Sequence, residues 1–402
     1  MIAGTELTAA VPLGPLSVAV TGDDGLVRAL SAELGGGSPR HAQPSGNRGG
    51  GDRGGGADLT LSLARGGRGP AGGTRMAQRS RFPLDHVVWS AGAGPTLELR
   101  PKLGPALYRC RLHGPLDSAP PWHAEIHLPL PGALTRALLD PLLIAATRDA
   151  TGVHAVLAKH LVDELLDPLA WLLLLRRGAT MVHAGSVVRG DGGGILLWGA
   201  GGVGKSTTVL ELVTRHGCRF LADDRAVLTD GRILAHPKRL RLQGQHTALV
   251  PGGQQAVLAG RADVATWRLR RSLLGARRVG RRVDPLRLFG PERVAGSAPL
   301  AAAVVLTAGT GPASAPKVAA VSTEEMTRRG ASMVCNQFWD FLRFVGLLTA
   351  GQPAAGPSLA EVHEQTSAAI RSNLGDVPLY VVTIPPGASP EQVSEAVLRA
   401  VG

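Results

Sequence analysis

The spacing of apolar residues changes several times along the chain, and each change predicts a different element. Leu16, Val18 and Val20 alternate with smaller or polar neighbours, and Asp23-Asp24-Gly25 then turns into an apolar stretch ending at Leu34, so a strand followed by a helix is expected. Between His86 and Leu130 short alternating pieces (HVVWS, TLELR, LYRCRL, AEIHLPL) recur between Pro and Gly residues, the pattern of a small sheet. From Leu134 to Arg177 the period is helical with a broad apolar face, and Pro168 is placed to open a new helix inside that run. Thr180 to Trp198 reads as two strands joined by Gly190-Asp191-Gly192, an antiparallel hairpin. Centred near Asp191, that hairpin brings His183 opposite Gly199.

The second half continues in the same alternation of elements. A helix with Val209, Leu212 and Val213 on one side stops at Gly217, and Cys218 to Ala222 forms a strand ending in Asp223 and Asp224. A hairpin turns at Asp230-Gly231, and Pro237 to Leu242 alternates basic and apolar residues in the manner of an edge strand, from which Arg239 or Arg241 could reach a phosphate or an acidic substrate. Leu300 to Thr307 is a strand, and Ser322 to Thr349 is helical, with clustered aromatics that mark a core. Pro378 to Ile384 is a last strand, and Pro390 to Val401 a closing amphipathic helix.

Residues 35 to 82 differ in kind. They are rich in Gly, Arg, Pro and Ser, and apart from the apolar island Leu59 to Leu63 they have little to bury, which predicts a disordered insertion. Their NRGGGDRGGG core also has the look of an RNA-binding tract, but no Phe or Tyr is interleaved for stacking on bases. The organisation expected is a β-rich N-terminal domain over 1–150, interrupted at 35–82, and an α/β domain over 151–402. A chain of 402 residues has room for both cores.

Composition narrows the classes. The formal charge of +12 is carried almost wholly by arginine, with lysine only at positions 102, 159, 205, 238 and 317, a bias that a GC-rich coding background also produces. Charge alone is therefore a poor argument for nucleic acid, and helicase motifs are absent. Trp267 to Arg287 concentrates eight arginines, an exposed basic loop or a docking surface for an acidic or phosphorylated ligand. Cys110, Cys218 and Cys335 lie too far apart for a disulfide framework or a metal cluster, as in a reducing cytoplasm. With no secretory signal and no apolar run long enough to span a bilayer, a cytoplasmic protein without membrane association is expected.

The chemistry concentrates at Gly194 to Asp224. Gly199, Ala200, Gly201, Gly202, Val203, Gly204, Lys205 and Ser206 match G-x-x-x-x-G-K-[ST], followed by Thr207, with a strand before and a helix after. In that context the glycines let backbone N–H groups wrap phosphate oxygens, the helix N-terminus and Lys205 add positive charge, and the Ser206 hydroxyl is a magnesium ligand. Asp223 and Asp224 close the next strand and should lie near the same phosphates. His183 reaches the edge of this site or, alternatively, is a buried histidine satisfying a backbone group.

HAG at 183–185, the hairpin, GAGGVGKST, the helix ending in RHG and FLADD at 220–224 together resemble the HPr kinase/phosphorylase superfamily, whose P-loop fold is similar to that of phosphoenolpyruvate carboxykinase. The resemblance covers 180–245 well and 299–402 in outline. It implies a mixed-sheet P-loop kinase domain that binds ATP over Gly199 to Thr207 and holds magnesium with Ser206 and Asp223. It further implies Asp224 as general base toward an acceptor hydroxyl, His183 beside the transferred phosphoryl group, and Lys205 on the phosphates. The acceptor classes are a peptide or protein Ser/Thr and a small biosynthetic metabolite, and the oligomeric state, a homo-oligomer among the options, stays open at this point. The family's later Glu-Ile-Arg-Gly-Leu-Gly signature has no counterpart, so HPr itself and the phosphorylase activity do not follow. Two further readings stand beside the kinase: a nucleotide-binding scaffold with little turnover, and a nucleic-acid-linked ATPase.

Overall fold

The computed structural model describes residues 7–13, 15–22, 24–34, 57–65, 76–79, 85–89, 95–99, 108–113, 121–128, 135, 153–236, 238–250, 261–275, 279–311, 315–351 and 356–402. They fall into two compact units. The first comprises Met1–Ala146, Thr151–Leu173 and Trp339–Val362, and the second Thr147–Ala150, Leu174–Phe338 and His363–Gly402. The helix Trp339–Gly351 thus returns to the first unit from late in the chain, which sequence order does not reveal.

The first unit is built on an eight-stranded sheet: β1 (Leu7–Leu13), β2 (Leu16–Gly22), β3 (Leu59–Arg65), β4 (Met76–Arg79), β5 (Asp85–Trp89), β6 (Pro95–Leu99), β7 (Tyr108–His113) and β8 (Trp122–Leu128). Their order is β1-β2-β3-β8-β7-β6-β5-β4, antiparallel except at β2–β3 and β3–β8. Alternation puts Leu16, Val18, Val20, Leu59, Leu61, Leu63, Ala124, Ile126 and Leu112 on one buried face, joined in the core by Leu26, Val27 and Leu30 of α1 (Asp24–Glu33). The reading of 35–82 as a single disordered insertion is therefore corrected at β3: its apolar island is a strand between β2 and β8, because a period of two lets three leucines share the core face. Gly22, opposite Leu63 in that pairing, has φ +135°, and a Cβ there would meet the Leu63 carbonyl oxygen at 2.0 Å. Residues 76–79 also form a strand; apart from these and 57–65, the stretch 35–82 lies outside the described residues, as does most of the predicted helical run before 153.

Pro168 does not open a separate helix. α2 (Val153–Leu161) passes through one π turn, Val162–Leu166, into α3 (Asp167–Arg176) with helical dihedrals at both junctions. The wider turn absorbs the register change that a proline ring imposes on the preceding carbonyls.

The second unit carries a mixed nine-stranded sheet: β9 (Thr180–Val182), β10 (Ala184–Val188), β11 (Gly194–Gly199), β12 (Arg219–Ala222), β13 (Ala226–Thr229), β14 (Arg232–Ala235), β17 (Ser297–Ala308), β18 (Lys317–Ala320) and β19 (Leu379–Ile384). Its main path is β12-β10-β11-β17-β14-β13-β9, with β19 parallel to β17 and β18 beyond it. β11 is buried along its whole length, which explains its unbroken apolar run. Ile195 and Leu197 join a core with Val209, Leu210, Leu212 and Val213 of α4 (Lys205–Thr214) and Val393, Ala396 and Val397 of α10 (Pro390–Val401). On the other side Trp198 meets α7 (Thr323–Gln337), where a Cβ on Gly330 would lie 3.2 Å from the indole. Gly217 (φ 69°) stops α4 as expected, with the Cys218 N–H reaching back to the Leu212 carbonyl at 3.1 Å.

Two expectations for the basic segments change. Leu240 and Leu242 are buried and Arg241 exposed, as alternation requires, but β15 (Leu240–Gln243) pairs with β16 (Gly280–Val283) in a separate two-stranded ribbon and is not an edge of the main sheet. The arginine-rich stretch is not a loop either. It contributes the helix α5 (Arg261–Leu274), then β16 and the short helix α6 (Pro285–Phe289), and burial pulls the Arg282 pKa down to about 10. Trp267 anchors α5 while Leu269 and Leu273 stay exposed, as do Arg268 and Arg271. The three cysteines are unpaired, and among the described residues no helix is long and apolar enough to cross a membrane.

Candidate functional site

The candidate loop leaves β11 at Gly199 and enters α4 at Lys205. Its glycines are required for two different reasons. At Gly199 a Cβ would strike Val203 Cγ1 at 2.6 Å and the Leu306 carbonyl oxygen of β17 at 2.8 Å, so close packing excludes a side chain. Gly202 and Gly204 have open space around them but hold φ of 82° and 106°, where only glycine is unstrained. Gly204 is the left-handed N-cap of α4, and around it Ala200, Gly201 and Val203 complete a turn whose outer side is open at Gly201 and Gly202. A glycine-rich turn at a helix N-terminus is a backbone arrangement able to accept an anion.

Lys205 is buried and lies along the loop, donating from Nζ to the carbonyls of Gly199 at 2.6 Å and Ala200 at 3.1 Å. Gln337, at the end of α7, donates to the same Gly199 carbonyl at 3.3 Å. Burial lowers the Lys205 pKa, and the charges of Asp223 and Asp224 act against that shift.

The two carboxylates arrive by strand direction. β12 is antiparallel to β10, and β10 is antiparallel to β11, so β11 and β12 point the same way and end on one edge. Asp223 is buried and accepts a hydrogen bond from Ser206 Oγ at 2.8 Å. Burial and the neighbouring Asp224 push its pKa up to about 6, while the Ser206 hydroxyl and Lys205 hold it back. Two oxygens at this separation match adjacent corners of an octahedron with metal–oxygen bonds of about 2.1 Å, so the pair fits a magnesium ion that takes its other ligands from water and phosphate. Among the described residues no larger group of His, Cys, Asp and Glu is arranged around a cation.

Asp224 is placed differently. Its side chain is 50% exposed, and its backbone is left-handed at φ 71°. Strain of that kind costs about 1–3 kcal/mol and persists only where the neighbours are fixed. The preceding Phe220 and Leu221 are buried, each contributing about 1.5–3 kcal/mol, so the anchor exceeds the strain. One oxygen, Oδ1, lies 3.3 Å from His183 Nδ1, and the other, Oδ2, lies 3.6 Å from Lys238 Nζ.

His183 occupies a break between β9 and β10. The sequence suggests one strand over Thr180–Val188, but β9 pairs with β13 whereas β10 pairs with β11 and β12, so the strand changes partners at the histidine. The β10–β11 register, Ala184 opposite Trp198, continues to His183 opposite Gly199. Phe338 lies edge-on to the imidazole with ring centroids 6.0 Å apart, and the Arg225 guanidinium sits 5.5 Å from the centre of the same phenyl ring. Burial pushes the His183 pKa down to about 4; Asp224 opposes this, and Lys205 and Lys238 add to it. The ring is therefore neutral near pH 7, and the tautomer that donates from Nδ1 to Asp224 keeps its Nε2 lone pair.

His183, Lys205, Ser206, Asp223 and Asp224 thus meet at one end of the sheet. Lys238, beside the Arg239 and Arg241 singled out by the alternation, joins this group through Asp224. The available signal was composition: in a chain whose Lys and Arg number 43, only five are lysines. His246 carried no signal of any kind. It sits in the short 3-10 turn His246–Ala248 after β15, accepts the Gln243 N–H on Nδ1 at 3.3 Å, and places Nε2 3.2 Å from Thr207 Oγ1, so the loop's last hydroxyl is held from outside.

Burial pushes the His246 pKa down to about 4. The unfolded chain, with an ordinary histidine near pH 6.5, takes up a proton that the folded one refuses. Stability from this group is complete above about pH 6.5 and is lost as the pH falls toward 4, at ~1.4 kcal/mol per pH unit. His246→Gln should flatten the acid limb of a series of urea unfolding curves by about one proton's worth, and identical limbs in the two proteins would overturn the assignment.

No family model matches the chain. An HPr kinase/phosphorylase of Lactobacillus delbrueckii subsp. bulgaricus is 33% identical over 92 residues, which is 23% of this chain. That match spans 29% of the relative's own length. Among solved structures, the Hpr(Ser) kinase/phosphatase from Coxiella burnetii aligns with 55% of this chain and 89% of its own at 14% identity and a TM-score of 0.25. The chain is similar to HPr kinases over a limited stretch, and its architecture is a mixed α/β sheet with parallel and antiparallel pairs.

Proposed function

We propose that the second unit is an ATP- and magnesium-dependent phosphotransferase that acts on a hydroxyl, either of a Ser or Thr in a peptide or protein or of a small biosynthetic metabolite. One observation carries the reading: adjacent carboxylates are divided by burial, Asp223 being enclosed and bonded to Ser206 and Asp224 half exposed beside His183. A site that only bound nucleotide would need the first carboxylate but not the second.

In this reading the loop from Gly199 to Thr207 receives the nucleotide phosphates through backbone N–H groups and the α4 N-terminus, and Lys205 neutralises their charge. Magnesium, held by Ser206 and Asp223, supplies further neutralisation of the phosphates. As the acceptor oxygen attacks the γ-phosphorus, Asp224 receives the hydroxyl proton, the bond to the β-phosphate oxygen breaks, and ADP leaves. His183, neutral and held by Asp224 and Phe338, would offer its Nε2 lone pair as an acceptor beside the reacting oxygens without adding charge. The short match to an HPr kinase/phosphorylase supports the reading.

The test uses ATP labelled at the γ-phosphate, with peptide, protein and small hydroxyl fractions as acceptors. Label in a hydroxyl-bearing product together with ADP is expected. If ADP is not released and neither class of acceptor takes label, a nucleotide-binding protein without transfer replaces the kinase.

A further inference from the structure

The carboxylate assigned to the acceptor side is held at both oxygens, and only one of the partners belongs to the motifs that define the site. Lys238 comes from the connection between β14 and β15, outside both the nucleotide loop and the strand that carries the aspartates. Its side chain is only 6% exposed, and Nζ stands 3.6 Å from Asp224 Oδ2, on the side away from His183. A lysine is rarely buried to this degree without a charge partner, because its ammonium loses hydration. Half of Asp224 remains open to solvent, so the pair is closed on the lysine side and accessible on the other.

The geometry has a specific mechanical effect. A carboxylate on a left-handed residue at a strand end can rotate about two side-chain torsions, and the His183 contact is made at Oδ1. The Lys238 ammonium, 3.6 Å from Oδ2, restricts that rotation while half of the carboxylate side chain stays open to solvent. Positioning within about 0.5 Å separates productive from idle carboxylates in proton transfer.

We propose that Lys238 is a positioning residue for phosphoryl transfer, acting through Asp224 by fixing the orientation of its carboxylate toward the acceptor. The inference rests on the kinase reading of the same site. It predicts a loss that falls on turnover, depends on Asp224, and is partly restored by another cation.

The experiment measures kcat, KM and nucleotide binding for wild type, Lys238→Met, Lys238→Arg, Asp224→Asn and the double variant Asp224→Asn/Lys238→Met, with labelled ATP as phosphoryl donor and a fluorescent ATP analogue with magnesium for binding. Lys238→Met should lower kcat about 100-fold or more, with the analogue's Kd within about threefold of wild type. Lys238→Arg should recover at least about tenfold of that loss, and the double variant should be no slower than Asp224→Asn alone. A purely structural ion pair would lower the unfolding midpoint without this split. Wild-type turnover in Lys238→Met, or additive losses in the double variant, would overturn the inference and leave the kinase reading intact. A wild-type protein that binds the analogue but transfers no phosphate overturns both. If Lys238→Met does not fold, Lys238→Arg decides: its ammonium-to-guanidinium exchange must cost more in kcat than in Kd for the proposal to stand.

Discussion

Asp224→Asn is expected to bind MgATP with wild-type affinity and to transfer phosphate roughly 10³-fold more slowly, or not at all. The amide is isosteric with the carboxylate and can keep a hydrogen bond to His183, but it cannot receive the acceptor's proton, and general-base catalysis contributes about 10²–10⁴ in rate. The enclosed pair Ser206–Asp223 is untouched by the change, so nucleotide and magnesium affinity should hold. Titration of a fluorescent nucleotide alongside label transfer from ATP separates the two properties. Full transfer by the variant would remove Asp224 as the base.

Lys205→Ala fails in the opposite way. The ammonium donates to the Gly199 and Ala200 carbonyls, and in the proposed reading it would exchange those contacts for phosphate oxygens when nucleotide binds. A charge-assisted hydrogen bond contributes about 1.5–3 kcal/mol, so loss of one or two weakens MgATP by about 10-fold to more than 100-fold. Transfer should become undetectable at nucleotide concentrations that saturate the wild type. The loop itself should survive, because Gln337 still holds the Gly199 carbonyl and β17 still packs against Gly199. An unchanged affinity in this variant, measured by the same titration, would mean that the nucleotide does not lie along the loop.

What could be read in the sequence was local. The strand, loop and helix around Gly199 to Ser206 follow from an apolar run, four glycines and a helical period, all within about 20 residues, and the hairpin register that aligns His183 with Gly199 follows from one turn. The hairpin at Asp230-Gly231 was equally visible, since the left-handed φ of 50° and 67° there are what an Asp-Gly turn adopts. What escaped depended on contacts between distant elements. The strand at 180–188 breaks because two different neighbours compete for it, and neither neighbour is encoded in its alternation. Lys238 and His246 reach the site from the stretch flanking β15, where a run of alternating basic and apolar residues gives the same pattern whether the cations face water or a carboxylate. Leu59–Arg65 was hidden by composition, because glycine and arginine on both sides masked three leucines at strand spacing.

The parallel pairing of β11 with β17 also fixes when in the life of the chain this site can exist. Gly194 stands opposite Leu300, and Gly199 is packed against Leu306, so the floor of the loop comes from chain synthesised about a hundred residues later. Closing a loop of that length precedes any reward from the contacts it makes, and parallel pairs of this separation form slowly. On the ribosome, Gly199 to Ser206 therefore emerges without its platform and waits several seconds, at about 5–20 residues per second, for β17 to be made. During that interval β11 has α4 within reach but lacks β17 along its edge and α7 over Trp198, which makes this stretch the natural point of engagement for chaperones and gives folding yield, rather than final stability, the stronger dependence on synthesis rate.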